Sequence, residues 1–241
     1  MTHVQTYARI AGVLLLISFI GGTFGELVVP SMLIVPGNIT ETTSRILAHS
    51  TLFNWGFVGY LAEALCDVGL ALVFYILLRP VHRNLALFAA FLGLISTALF
   101  AVCEMFFFIG PVLIHNPAYG QVFSRDQLNA LVNFFVHVYA VGGSLFMVFY
   151  GLASVIRGYL MYRSTYIPRF VGVVMMIAGV AFILKNLTLV LAPAYSWDLM
   201  LLPAPLMVVV LTVWFLWKGV DVSRWNARVV AMRAITDPSL T

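Results

Sequence analysis

Six ionisable side chains, Glu26, Glu63, Asp67, Glu104, His137 and Lys185, fall inside stretches of this chain that are otherwise apolar enough to cross a bilayer. A charge at the centre of a membrane helix costs about 2.5–3.5 kcal/mol even on lenient scales, so such residues mark proton relays, cation sites or ligand pathways. Their spacing adds to this. Glu63 and Asp67 are four residues apart and share a helix face, with Tyr60 one turn away on the same side. Ser18, Gly22 and Glu26 form a small and polar stripe, and Thr97 and Glu104 share a face. Asn133, His137 and Ser144 form a third stripe, Tyr139 flanks His137, and Asn186 and Thr188 follow Lys185.

Four acids against one lysine and one histidine leave excess negative charge. Desolvation and like-charge repulsion then call for at least one protonated carboxyl or a bound cation. The expected partner of Lys185 is Glu104 or Glu63, and Glu26, nearest the interface, is expected to snorkel or to pair with a loop residue. A metal site could use His137 with Glu63, Asp67 or Glu104, and Cys66 or Cys103 besides, without the support of an HExxH, paired-histidine or EF-hand spacing. No motif indicates a cofactor. Cys66 and Cys103 both lie inside apolar stretches and read as small buried residues, not as a disulfide framework.

The elements that must position these groups follow from composition. A chain of 241 residues that is 62% apolar and 9% charged is no soluble domain, whose charged fraction runs near 25%. The expected fold class is all-α, a single polytopic bundle over residues 1–241 with six transmembrane helices. Spans of roughly 20 apolar residues fit residues 8–29, 55–78, 85–110, 128–156, 170–191 and 199–217. Pro30, Pro36, Pro80, Pro111, Pro117, Pro168 and Pro193 punctuate the connections, while Pro203 and Pro205 fall in the sixth span's first turns. Glu41–His49 reads as a short interfacial helix, and Ser124 with Gln127 as a capping box.

Basic residues give the sidedness. Arg9, Arg79, Arg83, Arg157, Arg163, Arg169, Lys218, Arg224, Arg228 and Arg233, ten of the thirteen, fall on one side, which predicts that both termini are cytoplasmic. Their positions in short loops beside apolar segments argue against nucleic acid as a partner; the lipid bilayer is the partner implied. At 1.5 Å per residue, Glu26 lies about 5 Å from its outer helix end, Glu104 and Lys185 about 10 Å, Glu63 and His137 about 13 Å, and Asp67 about 20 Å. All six therefore lie in the outer half of the membrane or near its midplane, and the inner half is expected to be almost free of ionisable groups.

Several strings carry a family resemblance. Leu77-Leu78-Arg79-Pro80-Val81-His82-Arg83-Asn84 is one, and Arg157-Gly158-Tyr159-Leu160-Met161-Tyr162-Arg163-Ser164 followed by Tyr166-Ile167-Pro168-Arg169 is another. With Phe24-Gly25-Glu26, Cys66-Asp67, His137-Val138-Tyr139 and Leu191-Ala192-Pro193, they resemble an uncharacterised prokaryotic membrane family, domain-of-unknown-function family 4386. The resemblance implies a bacterial plasma-membrane protein of about six helices and supplies no activity.

Three functions compete. The leading expectation is a membrane protein that binds, and moves, a proton, a cation or a small amphipathic molecule through an outward-facing intramembrane pocket. Glu63, Asp67, Glu104 and His137 would be its titrating or coordinating groups. One alternative is a membrane-embedded acid–base enzyme acting on a lipid or isoprenoid. The other is a non-catalytic assembly subunit whose polar core only fixes helix packing. The leading expectation carries a geometric consequence: Glu63, Glu104 and His137 should converge on one cavity.

Overall fold

The computed structural model describes residues 3–236, and among them every regular element is helical. The first span, α1, runs His3–Leu33. A short surface helix, α2 (Ile39–Ala48), follows, with its first turn capped by Asn38 Oδ1 accepting from the Glu41 amide at 3.0 Å. The remaining elements are α3 (Ser50–Leu78), α4 (Arg83–His115), α5 (Pro117–Val122), α6 (Arg125–Arg163), α7 (Arg169–Leu191), α8 (Pro203–Trp217) and α9 (Val222–Thr236). Six helices are long and apolar enough to cross a membrane, and the protein is a multi-pass membrane protein. The surface helix and the Ser124–Gln127 capping box occur where the sequence places them.

The spans form a closed ring in chain order. Helix α1 packs on α3, α3 on α4, α4 on α6, α6 on α7, α7 on α8, and α8 returns to α1. Small residues set the closest approaches. A Cβ at Gly158 would lie 2.6 Å from Gly172 O, and one at Gly151 would lie 2.7 Å from Gly179 O. Both pairs repeat every seven residues, so α6 and α7 meet along one straight antiparallel seam.

One end of the ring, the basal end, is densely filled. Leu77, Leu160 and Phe215 are fully buried there and belong to one large apolar cluster. Tyr166 in the α6–α7 loop is 3% exposed and its phenol donates to Leu77 O at 2.6 Å. Burial pushes that phenol above its ordinary range. Helix α9 is tied to the same place, because Trp225 Nε1 donates to Leu77 O and Arg224 Nη1 to Thr165 O. The distal end carries α2, whose Ile46 packs with Val29, Leu33, Phe53 and Phe107.

Two prolines sit otherwise than expected. Pro30 and Pro111 lie within continuing helices and do not end them. At Pro30 the reason is visible in the preceding turn. A proline ring clashes with the carbonyl four residues back, here that of Glu26. Residues Thr23–Val28 are wound as a π-helix, and α-geometry resumes at Val29–Leu33. This wider turn carries Glu26.

Candidate functional site

The six spans enclose a cavity of about 540 Å³ in the middle of the ring. Each span contributes to its wall: Ser18, Gly22 and Glu26 from α1, Glu63 and Asp67 from α3, Ser96 and Thr97 from α4, Phe146 and Tyr150 from α6, Phe182 from α7, and Met207 from α8. The lining residues of α1 fall at 15, 18, 19, 22, 23, 26 and 27, one helical stripe. Glu63 and Asp67 point the same way, as their spacing of four requires.

Glycine and hydroxyl groups seat the carboxylates. The Glu63 carboxylate lies against bare backbone at Gly22, where a Cβ would come within 2.6 Å of Glu63 Oε2. That oxygen is buried and has no protein hydrogen-bond partner. Ser18 Oγ donates to Asp67 Oδ1 at 3.3 Å. The wall facing the acids is aromatic. Phe100 and Phe146 are paired at 5.0 Å between ring centroids, and Tyr150 meets Phe182 edge-on at 5.3 Å.

Arg157 is a functional-site residue that sequence reasoning misplaced. It is 5% exposed and turned into the bundle, not out to the basal surface. Its Nη2 donates to Ala89 O at 3.4 Å and its guanidinium lies 5.5 Å over the Phe74 ring. Gly93 makes the space, since a Cβ there would overlap the guanidinium. Arg157, Asp67, Thr97 and Tyr150 line a separate void of about 20 Å³, room for one water with four polar groups around it. The basal half of the membrane region thus holds a buried charge, contrary to expectation, and it faces Asp67.

Glu104 lies outside the cavity wall. It is 4% exposed, both carboxylate oxygens are buried without a protein partner, and it is within electrostatic reach of Tyr60, Tyr139 and Glu26. The hydroxyls of Tyr60 and Tyr139 are 3.3 Å apart. Asn186 is buried and spends its amide on Phe182 O, 2.8 Å away.

Other candidates lie elsewhere. His137 and Asn133 are exposed on the outer surface of α6, so the expected convergence of Glu63, Glu104 and His137 does not occur. The glycine seam explains this. Carrying its register distally from Gly151 and Gly179 sets Leu191, the last residue of α7, level with Tyr139. His137 lies beyond that end, with no α7 beside it. Lys185 pairs with neither Glu104 nor Glu63. Its Nζ is 3.7 Å from Asp198 Oδ1 in the α7–α8 connection, where the aspartate side chain is fully exposed. Glu26 neither snorkels nor pairs with a loop; it lines the cavity. Among the described residues, no three His, Cys, Asp or Glu side chains come together in a group that could hold a metal ion.

The family model for a domain of unknown function, DUF4386, matches residues 10–219, from the first turns of α1 to just beyond α8. The chain belongs to the DUF4386 family. Five of the six spans, α1 from residue 10 onward, and every cavity-lining residue fall within the matched region. A more distant relative of this DUF4386 protein is an uncharacterized protein of Archaeoglobus fulgidus, 23% identical over 133 residues. That match covers 55% of this chain and 66% of the relative's own length. No solved structure matches the chain.

Proposed function

We propose that this protein binds, within the membrane, a small organic cation with an apolar body. The observation that carries the reading is the lining of the central cavity: Glu26, Glu63 and Asp67 opposite Phe100, Phe146, Tyr150 and Phe182. A cavity of about 540 Å³ is in the range of small-molecule sites. Aromatic faces attract a cation by their quadrupole, and most strongly where water is excluded. Carboxylates supply the opposite charge. A bare metal ion needs several converging ligands, which this arrangement does not offer, whereas an alkylammonium needs charge on one side and ring faces on the other.

Glu26 and Glu63 contact the ammonium head in this reading, and Asp67 anchors the floor of the site against Arg157. Glu104 and the Tyr60–Tyr139 pair lie behind the wall and keep the region polar. His137 and Lys185 take no part. The setting is a bacterial plasma membrane with both termini in the cytoplasm. Arg79, Arg83, Arg163, Arg169 and Arg224 at the basal end support that orientation without Arg157.

The test is equilibrium binding of benzyltrimethylammonium to the protein in lipid nanodiscs. Saturable binding is expected, with Glu63→Gln and Glu26→Gln each weakening it at least tenfold. Equal binding of the uncharged isostere neopentylbenzene, or full binding by the Glu26→Gln/Glu63→Gln double variant, refutes the reading.

A further inference from the structure

The ring is closed tightly between α1 and α8 at the basal end only. There Gln5 Nε2 donates to Lys218 O at 2.9 Å and Arg9 Nη1 to Phe215 O at 3.3 Å. A Cβ on Gly12 would sit 2.8 Å from Leu216 N, so the two backbones touch. Toward the distal end the contact is lost. The π-helical turn Thr23–Val28 packs against α3 and has no comparable packing against α8.

The cause is a mismatch in length. The first span, His3–Leu33, has 31 residues and the sixth, Asp198–Trp217, has 20, or about 46 Å against about 30 Å at 1.5 Å per residue. The chain between α7 and α8 is spent on two 3₁₀ turns, Pro193–Tyr195 and Asp198–Leu201, and not on a longer helix. The distal part of α1 therefore has a partner on one flank only.

The gap leads into the cavity. Phe19 and Leu27 line the cavity and yet are 39% and 65% exposed, as residues at a mouth must be. Leu201, Pro205 and Val208 line it from the opposite side. The mouth is apolar except for Thr23, and it lies within the span, where the surroundings are hydrocarbon.

We infer that the opening between α1 and α8 is a lateral portal to the distal leaflet, and that the ligand is a membrane-partitioned long-chain amine whose tail lies in the portal while its head rests on the cavity carboxylates. This rests on the cation reading above and adds the ligand's class and its route. A water-borne cation would meet hydrocarbon at this mouth. An alkylamine already in the leaflet brings its tail along Phe19 and Leu27 and its head inward toward Glu26 and Glu63. Each added methylene favours the leaflet over water, so a long-chain amine is concentrated at the mouth where a short one is not.

The experiment is photolabelling in nanodiscs with dodecylamine carrying a diazirine at the tail end, followed by peptide mapping. Saturable labelling is expected on residues 19–27 and 201–208, reduced at least tenfold in Glu26→Gln/Glu63→Gln. Saturable, carboxylate-dependent labelling confined to α3, α4 or the α6–α7 seam overturns the portal and leaves the cation reading standing. Labelling of the mouth that survives the double substitution means ordinary annular lipid, and overturns the portal as a ligand route. If no labelling depends on the carboxylates while benzyltrimethylammonium also fails to bind, the cation reading fails and takes the portal with it.

Discussion

Replacing Gly22 by alanine adds one methyl group against the Glu63 carboxylate, and the same change at Gly21 adds it against backbone. At residue 22 the new Cβ lies 2.6 Å from Glu63 Oε2 and 2.9 Å from its Cδ. Comfortable non-bonded contacts lie near 3.5–4.0 Å, so the carboxylate has to withdraw by roughly 1 Å. The atoms that move are the end of a flexible side chain facing a cavity, and the fold yields at little cost. A hydrogen bond to a charged group contributes about 1.5–3 kcal/mol, and about 1.4 kcal/mol is tenfold in Kd. Gly22→Ala should therefore weaken benzyltrimethylammonium binding about 10- to 100-fold while unfolding close to the wild-type temperature.

At residue 21 the Cβ meets Gly59 O at 2.7 Å. That carbonyl cannot step aside unless α3 moves, and overpacking of this kind costs about 1–3 kcal/mol. At about 2–4 °C per kcal/mol for a chain of this size, Gly21→Ala should unfold several degrees lower. Thermal unfolding and binding are to be measured on the same nanodisc preparations. A Gly22→Ala protein that binds as well as wild type, or a Gly21→Ala protein equally stable, refutes the argument that these neighbouring glycines serve different ends.

Arg157→Met leaves Asp67 buried without the charge that faces it across the small void; the two are not in contact, so the loss should fall below the roughly 3–5 kcal/mol of a contacting buried pair. The Asp67→Asn/Arg157→Met double variant should recover much of that in unfolding scans, and no recovery means the two do not couple across the small void. Tyr166→Phe loses the 2.6 Å bond to Leu77 O and about 1 kcal/mol of stability at neutral pH. Because the folded state holds that phenol protonated, its contribution is full below the unfolded value near 10 and declines as pH rises above it. The stability gap between wild type and Tyr166→Phe should thus narrow above about pH 10; a constant gap argues against the buried phenol. Reporter fusions after Arg45 and after Arg163 should report opposite compartments, with the second cytoplasmic; a common side for both removes the six-span topology.

Much of the architecture was legible in composition. Hydropathy alone delimits six spans, because each must present some 20 apolar residues to lipid, and the observed helices overrun them by only a few residues at most ends. The polar stripe of α1 and the Glu63–Asp67 pair were also legible, since a helix of known period fixes which residues share a face. His137 and Ser144 show where that reasoning stops. They are seven residues apart on α6, yet Ser144 is buried and His137 is exposed. Periodicity gives direction about the helix axis but not how far along it a neighbour extends, and α7 ends between them. Arg157 was misread for a related reason. Hydropathy assigns a long basic side chain near a helix end to the nearer surface, and only the space at Gly93, on another helix, turns it inward. Helix α9 was missed because its 15 residues mix arginines with Trp225, Val229 and Val230 and form no span.

The cavity follows from how a ring of six helices is filled. Ring packing leaves an axial space that only side chains pointing inward can occupy. In the basal half Phe74, Met161, Phe215 and the descending ring of Tyr166 do so, and every one of them is at most 3% exposed. Around the cavity, small residues at Gly22, Ser96, Thr97 and Ala204 alternate with the larger ones, and the axis is left open there. The carboxylates sit where the filling stops, and Arg157 and Asp67 mark the boundary between the halves. Stability is concentrated on one side of that boundary and the charged cavity on the other. Conservative changes at Glu26 or Glu63 can therefore alter binding while the basal core still holds the bundle together.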